Sequence, residues 1–139
     1  MARSYVQYRG EGSFFRDADL LLLQHLVIRS WRSHDGEGKL SSLRPLIESW
    51  SNNEDIYCSG CIDLELDALL SSPEAARSLI TLIDWADHDV QSLGDRISGA
   101  SLTEMADAPA LFSYPDWDTS RVLGLLQSFR ALLLRALQS

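Results

Sequence analysis

Residues 72–94 read SPEAARSLITLIDWADHDVQSLG and carry the clearest helix signals in the chain. Ser72 is suited to the N-cap, proline is favoured at the first helical position, and the carboxylate of Glu74 interacts favourably with the positive end of the helix dipole. Gly94 favours termination. These signals predict a helix that begins at the proline and continues to about Leu93, with a buried face formed by Ala76, Leu79, Ile80, Ile83, Ala86 and Val90.

Apolar residues at helical spacing predict three further main helices. The first follows Asp17, a candidate N-cap, and continues to about Ser33; its wide apolar stripe indicates a central position. The second spans about 40–51. The last helix begins after Asp116 or Asp118 as its N-cap, and its buried stripe consists of Val122, Leu125, Leu126, Phe129, Leu132, Leu133 and Ala136.

The first residues of the chain predict a short extended element. Ser4 to Arg9 is rich in aromatic and β-branched residues, and a turn-forming Gly-Glu-Gly sequence follows at residues 10–12. Because one strand cannot form a sheet, it must pair with another segment, lie against helices or add to a partner's sheet. A length of 139 residues fits one domain, residues 1–139. The prediction is a mainly α fold: a compact bundle of about four main helices with a short extended N-terminal element.

Acidic residues are concentrated in the middle of the chain. Between Glu54 and Asp118 there are fourteen carboxylates and two arginines, a net charge of −12, in a chain whose overall net charge is −8. Concentrated charge of one sign attracts oppositely charged partners and can raise association rates by roughly 10 to 1,000-fold. The negative balance disfavours nucleic acid and anionic membranes as ligands. A protein partner is favoured, and the chain itself is expected to be a monomer or homodimer.

No targeting or membrane segment is expected. The N-terminal residues lack the apolar core of a signal peptide. The longest apolar runs are far shorter than the ~20 residues needed to span a bilayer. A cytoplasmic location is therefore predicted.

Acids next to aromatic or apolar residues are the candidates for partner binding. The alternation of acid and leucine over residues 63–67 fits either leucines turned inward with acids in water, or an acidic docking ridge. Residues 84–89 give an acidic helix face, and residues 116–118 add outer candidates around a tryptophan, a residue type enriched at interface hot spots. The candidate binding residues are Asp63, Glu65, Asp67, Asp84, Asp87, His88, Asp89, Asp116, Trp117 and Asp118.

No constellation of residues identifies a reaction. Cys58 and Cys61 have the spacing of a redox motif or half of a zinc site, but two reduced thiols in a turn is the simpler interpretation because the expected strand–helix context and further ligands are missing from the sequence. Asp84 and His88 could both reach a metal from one helix face, yet a second such pair is missing as well. We predict no catalytic residues, no metal and no cofactor; a thiol- or metal-dependent enzyme is the third-ranked alternative.

Residues 8–15 read YRGEGSFF and precede an aspartate and a leucine-rich helix, while residues 60–64 read GCIDL. Together with the leucine-rich last helix, these features resemble a family of small acidic bacterial proteins associated with polymorphic toxin systems, over most of the chain. The resemblance implies an immunity protein that binds a cognate toxin, for example a cationic toxin domain, and blocks it in the producing cell. Such families share no catalytic residues.

A secretion chaperone for an effector is the alternative binding class. Such proteins also tend to be small, acidic and dimeric, with an amphipathic last helix. A sheet of three or more strands, together with Leu123 and Leu134 at a dimer interface, would favour this class. The same two leucines lie outside the main stripe of the last helix, where the N-terminal segment could also cover them.

Overall fold

The chain folds mainly into helices in the computed structural model, which describes residues 3–34, 36–52, 62–100 and 116–138. The four longest helices form the predicted bundle, so the mainly α fold is confirmed. The helices are α1 (Asp17–Ser33), α2 (Gly36–Lys39), α3 (Arg44–Asn52), α4 (Leu66–Leu69), α5 (Pro73–Gln91) and α6 (Thr119–Gln138). The strands are β1 (Arg3–Tyr8), β2 (Glu11–Arg16), β3 (Arg96–Ile97) and β4 (Trp117–Asp118).

Helix α5 begins as the sequence predicts. The Ser72 hydroxyl accepts a hydrogen bond from the backbone N–H of Ala75 at 3.2 Å, with proline at the first helical position. The helix ends at Gln91, before the predicted Leu93, because the Leu93 N–H bonds to the carbonyl of Val90 three residues earlier and so forms a tighter turn.

The core lies between α1, α3, α5 and α6. Helix α5 packs against both α6 and α1, and α1 is buried around most of its circumference, which places it centrally as predicted. Every residue of the predicted α5 and α6 stripes is buried. No helix within the described ranges is both long and apolar enough to cross a membrane.

The predicted N-terminal strand is part of a hairpin, so of the three possibilities that the sequence leaves open, it pairs with another segment of the chain. β1 and β2 pair antiparallel, with Tyr8 opposite Glu11, so that Arg9 and Gly10 form a two-residue turn. Both turn residues have positive φ angles, 50° and 89°, as a type I′ turn requires. Gly12 was expected in the turn but lies within β2. The hairpin packs against α1 and α6.

The buried hydroxyl of Tyr8 gives a prediction about alkaline stability. It donates a hydrogen bond to the Leu70 carbonyl at 3.0 Å, and burial raises the pKa of Tyr8 above its usual value, an effect that Asp67 strengthens and Arg9 opposes. The folded chain therefore keeps this proton at pH values where the unfolded chain releases it. The associated stability is fully present below about pH 10 and is lost as the pH rises further.

We expect Tyr8→Phe to lower the free energy of unfolding by about 0.5–1.5 kcal/mol at pH 7, through the lost hydrogen bond, and to weaken its decline above about pH 10. Urea unfolding at neutral and alkaline pH measures both effects. An alkaline decline that is as steep in Tyr8→Phe as in the wild type would contradict this role for Tyr8.

Candidate binding surfaces

The antiparallel packing of α5 on α6 determines where most of the candidate residues lie. The Arg130 Nε donates to Asp84 Oδ1 at 2.8 Å, and the Gln127 Nε2 donates to Asp87 Oδ2 at 2.6 Å. Later residues of α5 thus face earlier residues of α6. The C-terminal end of α5 therefore lies beside residues 116–118, which precede α6, and these two groups of candidates lie at the same end of the bundle.

Residues 63–67 lie at the other end of α5. They precede its first turn, and the distance along the helix from Pro73 to Asp89 is about 24 Å at 1.5 Å per residue. Leu64 and Leu66 are buried, whereas the three acids between and around them are exposed. The interpretation with leucines inward and acids in water is thus confirmed. The candidates therefore form two separate groups at opposite ends of α5, and we treat them as two different surfaces.

The three acids of residues 63–67 also make hydrogen bonds within the chain. Asp63 accepts a bond from the backbone N–H of Glu65 at 2.9 Å, and the carboxylate of Glu65 accepts one from the Ser49 hydroxyl at 3.1 Å. Asp67 accepts a bond from the backbone N–H of Arg9 at 2.9 Å and so holds the hairpin turn in place. These carboxylates organise the local structure as well as adding surface charge.

Two of the candidate side chains are buried. Asp87 is 9% exposed and accepts hydrogen bonds from Gln91 and Gln127. Trp117 is 6% exposed and lies under the guanidinium of Arg121, 4.2 Å from its ring centre. We assign both residues to the packing of α5 and α6. The exposed candidates that remain at this end form what we call the α5–α6 patch: Asp84, His88, Asp89, Asp116 and Asp118.

His34, which the sequence gave no reason to include among the candidates, also lies in this patch. The Nε2 atom of His34 lies 2.9 Å from Asp89 Oδ2, and the ring of His34 is 5.3 Å from that of Trp85. His34 directly follows Ser33, the last residue of α1. The contact joins residues 55 positions apart, so no local pattern could reveal it.

The structure places the metal candidates as follows. Asp84 is paired with Arg130, and the side chain of His88 is exposed. Among the residues that the structure describes, no three histidine, cysteine, aspartate or glutamate side chains come close enough together to hold a metal ion. Cys58 and Cys61 lie outside the described residues.

The arrangement expected for a secretion chaperone finds no support in the described ranges. The two sheets there have two strands each, not three or more. Leu123 and Leu134 are partly buried against the core.

An open groove of about 570 Å³ lies between β2 and α6 and was not foreseen from the sequence. Four arginines and one carboxylate, that of Asp19, are among the residues that line it, so this groove is cationic in a chain of net charge −8. The arginines are Arg3, Arg16, Arg121 and Arg135.

No family model matches the chain, and comparisons with curated proteins and with solved structures find no significant match. Any functional assignment therefore depends on the chemistry of the described residues. Two surfaces are candidate binding sites because they are charged and exposed: the acidic α5–α6 patch and the cationic groove.

Proposed function

We propose that the chain is a non-enzymatic protein-binding protein of the immunity type, which binds a cationic toxin domain and blocks its activity. The observation that supports this proposal is the α5–α6 patch, whose carboxylates lie on the C-terminal half of α5 and in the segment that precedes α6. Toxins that act on nucleic acid need cationic surfaces, and an acidic patch is complementary to them. The proposal places the chain in the cytoplasm of the producing cell.

The patch is suited to exchange its internal partners for those of another protein. The side chains of Asp84 and Arg130 are 48% and 31% exposed, and those of His34 and Asp89 are each 37% exposed. Exposed pairs of this kind contribute only about 0–1 kcal/mol, so a partner's arginine or lysine can replace them at little cost. Until then the internal pairs keep the carboxylates in defined positions. Trp85, half-buried beside His34, offers an aromatic anchor at the edge of the patch.

Growth protection tests the proposal. We expect the wild-type chain to protect cells that express the C-terminal domain of a toxin encoded next to it, and the charge-reversed variant Asp84→Lys/Asp118→Lys to lose most of this protection. Both substituted side chains are exposed, so the variant should fold. Asp87→Lys is unsuitable because Asp87 is buried.

The matched control is Glu74→Lys, which reverses an exposed charge in the first turn of α5, at the opposite end of the helix. We expect this variant to protect as well as the wild type. Full protection by Asp84→Lys/Asp118→Lys would exclude the α5–α6 patch as the contact surface. A wild-type chain that fails to protect would overturn the immunity function itself.

A further inference from the structure

The cationic groove follows the free edge of β2, the edge that pairs with no other strand among the described residues. Four consecutive residues of this strand, 13–16, line it. Because successive side chains of a strand point to opposite faces, four consecutive residues can line one groove only where it runs along the strand's edge. β2 pairs with β1 along its other edge, in a sheet that contains these two strands. The edge beside the groove therefore presents backbone N–H and C=O groups to an added strand.

The opposite wall of the groove is one face of α6. Residues 121, 124, 128, 131 and 135 line the groove and lie three or four positions apart, so they share a face that differs from the buried stripe. Gly124, Ser128 and Ala131 are small, and they leave room between the helix and β2. Arg121 and Arg135 stand at the two ends of this row, about 21 Å apart along the helix axis.

The arginines of the groove are available to a ligand. The side chains of Arg121 and Arg135 are each 51% exposed, and their ion pairs with Asp19 and Glu11 are long, at 3.6 Å, so a ligand's carboxylate can compete for both arginines. Arg121 stacks on Trp117, which leaves the edge of its guanidinium free to bind a carboxylate.

Asp19 reduces the positive charge of the groove only in part. Its Oδ1 atom is buried and has no hydrogen-bond partner among the described residues. Burial raises the pKa of this carboxyl, although Arg121 and Arg16 oppose the effect. Four guanidinium groups and one carboxylate line the groove, so the groove as a whole attracts anions.

We propose that this groove binds an extended acidic segment of about six residues from a partner protein. The segment adds a strand to the free edge of β2, and its carboxylates pair with the arginines of the groove. A six-residue strand is about 20 Å long, which matches both the length of β2 and the separation of Arg121 from Arg135. Phe14, 65% exposed on the outer face of the hairpin, offers the added strand an apolar contact. Binding of this segment to the groove does not depend on the binding of a toxin to the α5–α6 patch.

Fluorescence anisotropy with a labelled eight-residue peptide of alternating glutamate and valine tests the proposal. We expect saturable binding to the wild type and at least a tenfold weaker affinity for Arg3→Glu/Arg135→Glu. Arg77→Glu is the matched control, because it reverses an exposed charge on α5 and should leave the affinity unchanged. Equal affinities for the wild type and the double variant, or no binding up to about 1 mM peptide, would overturn the proposal.

A second variant separates blocking of the groove from loss of charge. A side chain added at Gly124 meets no other atom within 4 Å at its Cβ, so Gly124→Leu should fill the groove while the helix stays intact. We expect this variant to keep the wild-type circular dichroism spectrum and to bind the peptide at least tenfold more weakly. Binding equal to that of the wild type would contradict a ligand in this groove.

Three further measurements test the chemistry of the ligand. A peptide N-methylated at alternate residues cannot donate hydrogen bonds along one edge, and we expect it to bind at least tenfold more weakly than its parent. Unchanged affinity would exclude strand addition. Equally tight binding of an oligothymidylate would show a general anion site. Peptide binding that weakens as the chain self-associates would assign the groove to a second copy of this protein. Each of these last two results would overturn the proposal.

Discussion

Replacing Trp50 with alanine is expected to lower the free energy of unfolding by about 3–5 kcal/mol. Trp50 is 1% exposed, and its indole N–H donates a hydrogen bond to the carbonyl of Leu64 at 3.1 Å. The side chain thus anchors the segment before α4 to α3. The substitution opens a cavity in the core and removes the donor from a buried carbonyl. Since domains of this kind are stable by about 5–15 kcal/mol, the variant should be close to unfolding.

Urea unfolding followed by circular dichroism measures this loss. Trp50→Phe is an informative intermediate, because it keeps most of the packing and removes the hydrogen bond. Trp85→Ala is the control. Because Trp85 is only half-buried, this substitution should lower the free energy of unfolding clearly less than Trp50→Ala does. A loss below about 1 kcal/mol for Trp50→Ala would contradict the anchoring role.

The second large effect is expected at Asp17, where replacement by alanine should cost about 2–3 kcal/mol. The Ser4 hydroxyl donates to the carboxylate of Asp17 at 2.6 Å and accepts a hydrogen bond from the backbone N–H of Ile62 at 2.9 Å. Ser4 and Asp17 are both 2% exposed. These bonds join β1, α1 and the segment before α4. Without the carboxylate, a buried hydroxyl loses its acceptor.

A double-mutant cycle with Ser4→Ala and Asp17→Ala measures the coupling between the two side chains. Because the two side chains share one buried hydrogen bond, we expect the double variant to be clearly more stable than the sum of the single losses implies. Asp17→Asn, which retains an acceptor oxygen, should cost less than Asp17→Ala. Strictly additive losses would show that the two side chains do not act together.

The helices could be predicted because their signals are local. The cap at Ser72 and the apolar spacing of α5 and α6 depend on residues within a few positions of one another, and the structure confirms them. The hairpin was predicted only in part, since Arg9-Gly10 is not a common turn sequence and β2 does not alternate clearly. Asp17 was wrongly predicted to be an N-cap: Arg16 occupies that position, and the side chain of Asp17 instead bonds to Ser4.

The candidate surfaces were less predictable because they depend on distant pairs. The sequence shows that the α5 helix is acidic, but Asp84 pairs with Arg130, 46 positions away, and Asp89 pairs with His34, 55 positions away. Asp87 likewise accepts a hydrogen bond from Gln127 of α6, 40 positions away, which the pattern of its own helix does not reveal. The row of small residues between Arg121 and Arg135 is visible in the sequence, but it becomes a groove only because β2 lies beside it.

The salt dependence of association tests most directly the proposal that the α5–α6 patch recognises a cationic toxin domain. The rate constant for binding the cognate toxin domain can be measured by stopped-flow fluorescence over a range of ionic strength. We expect the wild-type rate constant to fall by at least tenfold between about 0.05 and 0.5 M salt, because screening removes electrostatic steering. Asp84→Lys/Asp118→Lys should associate slowly at low salt and depend much less on it. A rate constant that does not change with salt, and is the same for the wild type and this variant, would contradict recognition through the patch.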